Sequence, residues 1–170
     1  NLLDAYRAGF PEARFSIWNR SPERAQALAK TRPDARAVTD LKAAIGSADI
    51  ICTSTMSTSP VLQGSWLQEG QHVDLIGAYR PDMREADDQA LQRARVFVDS
   101  FDTTLDHIGE LKIPLSSGAL RRADVQADYY SERGFQRGSE RDITLFKNGG
   151  GAHLDLMTAR YILQQWSSAA

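Results

Sequence analysis

The 170 residues carry 42% hydrophobic and 25% charged side chains. That composition is close to the average of globular domains and excludes a disordered chain, a collagen-like repeat and a disulfide scaffold. Twenty Lys+Arg against 22 Asp+Glu leave a formal charge of −2, so no net positive field draws nucleic acid or anionic lipid. The single cysteine, Cys52, cannot close an intramolecular disulfide, and no apolar run approaches the roughly 20 residues of a membrane span. These priors predict about one domain of a soluble, cytoplasmic protein that works on small molecules or proteins.

The chain opens on helical apolar content (Leu2, Leu3, Ala5, Tyr6, Ala8) halted at Gly9 and Pro11. No Met precedes it, and an opening in mid-helix is expected of a piece of a longer polypeptide. Arg14–Trp18 is short and β-prone. Ser21-Pro22-Glu23 then supplies an N-cap, a first-turn proline and a first-turn carboxylate, which predicts a helix to about Lys30 that stops before Pro33. Val38 begins a brief strand, and Thr39 or Asp40 caps a helix through Ile45 that ends near Gly46. The continuous apolar run in Asp49–Thr53 predicts a buried strand and makes Cys52 a buried, inert thiol. After the small polar stretch Ser54–Pro60 come a strand over His72–Ile76, a helix over Glu85–Ala94 and a buried strand over Val96–Val98.

Strands alternating with helices at this spacing imply crossover units and a doubly wound parallel sheet of the α/β class. After Asp99 the rhythm changes: a helix is expected over Thr103–Glu110, an irregular stretch over Leu111–Ala127, and a final helix from about Ala152 to Trp166 behind Gly149-Gly150-Gly151. Two adjacent rows of that helix are apolar, Leu154/Met157/Tyr161 and Leu156/Ala159/Leu163/Trp166, a stripe wide enough to pack against something substantial.

Asn19-Arg20-Ser21 stands where the first strand gives way to a helix. In dinucleotide-binding sheets the corresponding strand end faces the adenosine ribose, with a carboxylate for NAD and an Arg for the 2′-phosphate of NADP. Here the acid is missing, while a guanidinium, an amide and a hydroxyl sit at a helix N-terminus, which suits a phosphate. The same residues also read as an ordinary capped helix start with a solvated Arg. Thr53-Ser54-Thr55-Met56 follows a strand at the edge where parallel sheets bind ligands, although a plain polar loop has the same composition. Gly77-Ala78-Tyr79 ends the next strand there. Gly77 and Ala78 leave room for a nicotinamide, and Tyr79 is either a general acid or a cover for the pocket.

Arg84 with Glu85, Asp87 and Asp88 reads as a capping and solvation cluster. His72, His107 and His153 show no metal-ligand spacing, and neither a Gly-x-Ser-x-Gly elbow nor a Walker loop is present. Lys147, just before Asn148 and the glycine run, lies where backbone amides meet a polar ligand group.

Taken in order, Trp18-Asn19-Arg20-Ser21, Ala48-Asp49-Ile50-Ile51, Thr55-Met56, Pro60-Val61-Leu62 with Trp66, Gly77–Glu85, Val98-Asp99-Ser100, Thr144-Leu145-Phe146-Lys147 and Trp166-Ser167-Ser168 resemble the second half of the ornithine cyclodeaminase/mu-crystallin family. The likeness spans nearly the whole chain, and Arg80-Pro81-Asp82-Met83-Arg84-Glu85 is its most specific stretch. It implies a Rossmann-like NAD(P)-binding domain over 1–145, without the first strand and Gly-x-Gly loop that members carry just before this point. Over 146–170 it implies a C-terminal helical return toward a dimerisation domain, and hence a homodimer. Members take the lysine and arginines that grip the substrate carboxylate from an N-terminal domain that these residues do not include.

By the same resemblance the cofactor meets Asn19, Arg20 and Ser21 at its 2′-phosphate, Thr53, Ser54, Thr55 and Met56 near the adenosine side and ribose, and Gly77, Ala78 and Tyr79 near the nicotinamide. Asn148 joins this cofactor-binding set by position, although it departs from the serine common there. True cyclodeaminases carry a catalytic aspartate where this sequence has Tyr79, so the form is that of the mu-crystallin and imine-reductase branch. The implied activity is NADPH-dependent reduction, with NADH as a second cofactor, of a small cyclic imine or α-imino acid of the pyrroline- or piperideine-2-carboxylate type. Tyr79 and Lys147 are the candidate catalytic groups, and no metal is expected. Ornithine cyclodeamination, a non-catalytic NADPH and small-ligand binder of mu-crystallin type, and a shikimate-dehydrogenase-like enzyme are the alternatives, the last opposed by Arg80–Glu85.

Overall fold

The computed structural model describes residues 2–132 and 134–169, and the chain divides into two compact units, Asn1–Ala48 and Asp49–Ala170. In the first, α1 (Leu2–Gly9) is followed by β1 (Phe15–Ile17), α2 (Pro22–Ala29), β2 (Ala35–Ala37) and α3 (Leu41–Gly46). β1 and β2 pair in parallel, Phe15 beside Ala35 and Ile17 beside Ala37. The second strand therefore ends where one beginning at Val38 was expected; Val38 only donates its N–H to the Ile17 carbonyl at 2.9 Å as the chain leaves the sheet. Proline at the first helical position starts α2, and Asp40 caps α3 by accepting the Ala43 N–H at 2.9 Å. Arg7 pairs with Asp34 and Arg32 with Asp4, fastening α1 to the turn before β2.

The second unit holds a five-stranded sheet, every strand parallel, in the order β3 (Ile50–Thr53), β4 (His72–Leu75), β7 (Ile143–Lys147), β5 (Ala94–Val98), β6 (Val125–Ala127). The parallel α/β class expected from the sequence is the observed one. β7 comes last in sequence yet lies between β4 and β5, so Lys147 stands beside both Leu75 and Val98 at their carboxyl ends. Residues 145 and 146 both lie in this central strand. One face of the sheet carries Val73, Leu75, Val96, Val98 and Leu145, all fully buried.

Three elements differ from the expected ones. α4 spans Asp88–Arg93 rather than starting at Glu85. The main chain at Glu85 and Ala86 is bonded elsewhere: both N–H groups donate to the Glu110 carboxylate at 2.7 and 3.0 Å, and the Glu85 carbonyl accepts from Val61 and Leu62. The helix over 103–110 is two helices, α5 (Phe101–Thr104) and α6 (Gly109–Ser117), and the stretch after 111 is helical and then forms β6. At the break the Gly109 N–H donates to the Arg80 carbonyl at 2.9 Å instead of continuing the first helix, and a Cβ there would strike the Met83 and Pro81 carbonyls. Pro114 lies inside α6.

β3 has one neighbour in this unit's sheet; Ile51 is buried while Cys52, on the opposite face, is exposed, which corrects its reading as a buried thiol. The final helix, α7 (Ala152–Ala169), exposes Leu156, Met157, Tyr161, Leu163 and Trp166. No helix among the described residues is long and apolar enough to cross a membrane.

Candidate functional site

In the first unit, Asn19, Arg20 and Ser21 occupy the turn from the carboxyl end of β1 into α2. Ser21 is the N-cap, but its hydroxyl makes no capping bond; its N–H donates to Asn19 Oδ1 at 2.9 Å. The asparagine thus shapes the turn. Arg20 is exposed and makes no hydrogen bond or ion pair with the described residues. It directly precedes the N-cap of α2, a position suited to a phosphate.

In the second unit the candidate residues gather at the carboxyl ends of β3, β4 and β7, where parallel sheets bind ligands. Thr53 closes β3; its hydroxyl is buried and has no hydrogen-bond partner among the described residues. Met56 and Tyr79 present exposed side chains, at 73% and 58%. The joint between the two loops is Glu85, a fully buried residue. Its Oε1 accepts the Thr55 N–H at 2.6 Å, and its Oε2 accepts those of Gly77 at 2.7 Å and Ala78 at 3.3 Å. The space beside Gly77 is taken by the protein itself, because a Cβ there would fall on Thr55 N and O. Ala78 is buried with Met83 and Ile108. The room expected there for a nicotinamide is therefore loop packing, and of Gly77, Ala78 and Tyr79 only Tyr79 offers a side chain outward.

Lys147 is fully buried, and its ammonium donates to the Leu75 carbonyl at 3.0 Å. Burial lowers its pKa against the opposing pull of Glu110, Glu85, Asp99 and Asp74. Such a lysine does not reach an exposed ligand, so the geometry gives it an internal role, in place of the contact expected from its position before the glycines. Asn148 donates its N–H to Leu75 O at 3.1 Å and accepts the Gly150 N–H on Oδ1 at 2.9 Å, holding the turn into α7.

Two carboxylates were not among the expected site residues. Glu85 lay in the specific motif but looked like part of a solvated cap; Asp87 does cap α4 and Arg84 does pair with Asp88 at 2.7 Å, while Glu85 turns inward. Glu110 gave no local signal at all. Burial pushes its carboxyl from 4.5 up to about 7, against its two backbone donors and Lys147. No group of three or more His, Cys, Asp or Glu among the described residues is placed to hold a metal; the His153 side chain lies outside them. An open cavity of about 300 Å³ on the other face of the sheet is lined by His72, Phe97, Tyr129, Phe135, Thr144 and Phe146, none of them an expected site residue.

Residues 2–170 match the ornithine cyclodeaminase/mu-crystallin family. The chain belongs to that family. It is 51% identical over 170 residues to a Delta(1)-pyrroline-2-carboxylate reductase of Paracoccus denitrificans, covering 95% of this chain and 54% of that protein. It is 37% identical over 161 residues to the ketimine reductase mu-crystallin of Mus musculus, covering 94% and 49% respectively. Among solved structures, the Thermococcus litoralis Delta(1)-pyrroline-2-carboxylate reductase in complex with NADH and L-proline superposes with a TM-score of 0.80 at 27% identity, over 86% of this chain and 48% of that one. The chain thus spans about half the length of the family members it matches.

Proposed function

We propose that this member of the family is an NADPH-dependent oxidoreductase that reduces a small cyclic α-imino acid of the pyrroline- or piperideine-2-carboxylate type. The observation that carries the reading is Arg20: an exposed, unpaired guanidinium at the carboxyl end of a β-strand, where an NAD-type site would place an acid. The names of the pyrroline-2-carboxylate and ketimine reductases that the chain resembles support the substrate class.

In this reading Arg20 and Ser21 hold the 2′-phosphate, Asn19 keeps their turn in shape, and the loop Thr53–Met56 meets the adenosine side and ribose. NADPH, when bound, supplies the hydride for the imine carbon. Tyr79 has the exposed hydroxyl on the β4 loop and serves as cover or proton donor, while Lys147 works from the interior. The exposed apolar stripe of α7 supports a homodimer, and a reductive cofactor fits a cytoplasmic setting.

The test is turnover of pyrroline-2-carboxylate and piperideine-2-carboxylate with NADPH and with NADH. Faster turnover with NADPH supports the proposal. Binding of NADPH without turnover would favour a carrier of mu-crystallin type, and conversion of ornithine to proline and ammonia with NAD would favour a cyclodeaminase.

A further inference from the structure

We propose that Glu85 is a positioning residue for hydride transfer: its carboxylate clamps together the loops that follow β3 and β4, with Glu110 fixing its main chain. The inference rests on the reading above, in which these two loops face the cofactor. The sheet itself carries the two chains only to the Ile76 N–H, which donates to Thr53 O at 2.9 Å. Beyond that point Glu85 spans the gap, one oxygen on Thr55 and the other on Gly77 and Ala78. All three partners are backbone N–H groups, so the joint needs an acceptor on both oxygens. A carboxylate meets this need, whereas an amide in its place would turn an NH₂ toward one loop.

The clamp is itself immobilised. Glu85 N and Ala86 N donate to the two oxygens of Glu110, and the Glu85 carbonyl accepts from Val61 and Leu62, both at 2.9 Å. The buried ammonium of Lys147 lies among the same acids and stabilises their charge. Gly77 fits the same picture, for only a residue without a Cβ lets Thr55 approach closely enough to share the carboxylate. Fully buried, Glu85 touches no ligand and acts through the loops it joins.

The experiment compares the parent protein with Glu85→Gln and Glu85→Asp, the latter keeping the charge but too short to span both loops. NADPH dissociation constants, single-turnover hydride transfer to pyrroline-2-carboxylate and the isotope effect with 4-deuterated NADPH are measured on folded protein. Misplacing the donor slows transfer by about 100-fold, with a larger isotope effect, while NADPH binding, anchored at Arg20, weakens by less than about fivefold. A purely structural role lowers the folded fraction and leaves transfer per bound NADPH within about threefold of the parent; that result overturns the proposal.

Amide exchange on the parent decides the matter if neither variant folds. The Thr55 amide, bonded to Glu85, exchanges at least about tenfold more slowly than that of its neighbour Met56, and equal exchange overturns the clamp. A parent that neither binds NADPH nor reduces the imine refutes the functional reading instead, and the exchange result still stands or falls by itself.

Discussion

Glu110 gives stability a pH dependence that one substitution removes. In the folded protein its carboxyl is held neutral up to about pH 7, because burial outweighs the two backbone donors and Lys147, whereas its reference value is 4.5. Between these two values the folded state keeps a proton that the unfolded chain has released. Stability therefore falls as pH rises through this window, by roughly 3 kcal/mol at most. Glu110→Gln leaves one of the Glu85 and Ala86 N–H groups facing an NH₂, which costs about 1–3 kcal/mol, but it cannot titrate. Urea unfolding of parent and variant from pH 4 to 8 measures the difference, and groups common to both cancel. The parent's advantage should shrink steadily toward pH 7 and then level off. An advantage that stays flat, or grows with pH, refutes the claim that burial dominates at this carboxyl.

Two further predictions concern the same interior. Gly77→Ala drives a methyl into the Thr55 main chain, which Glu85 holds in place, so it should destabilise by about 3 kcal/mol or more; a thermal midpoint within a degree of the parent's contradicts the close approach. Lys147→Met removes the cation that holds Glu110 down, so the Glu110-dependent change in stability should move above pH 7, measured as the difference between Lys147→Met and Lys147→Met/Glu110→Gln. A downward move contradicts the assigned charge interaction.

Local chemistry was what the sequence displayed well. Ser21-Pro22 and Asp40 start α2 and α3, and Gly9 ends α1, because caps and breakers act within a turn of where they stand. Strand β4 was legible for the same reason, with Gly77 marking its end. The errors came from contacts between distant residues. Glu110, 25 positions away, accepts the Glu85 and Ala86 N–H groups, and Val61 and Leu62 occupy the Glu85 carbonyl that a helix from Glu85 would have offered to Gln89, while at the helix break the Gly109 N–H is taken by Arg80 O from another loop. Cys52 faces outward because alternate residues of β3 point to opposite faces and the one opposite Ile51 is uncovered, which its apolar neighbours could not reveal. Within the candidate site, Arg20 was legible as an unmatched charge at a strand end. Glu85 was visible as a residue but not as a buried one, since nothing in Arg84–Asp88 distinguishes the carboxylate that turns inward from those that cap and pair.

The proposed cofactor site turns on Arg20 and the 2′-phosphate. Replacing Arg20 by Ala removes a charge-assisted contact of about 1.5–3 kcal/mol, so the dissociation constant for NADPH should rise roughly 10- to 100-fold, while that for NADH changes by less than about threefold. Equal losses for the two nucleotides, or none for either, would contradict it.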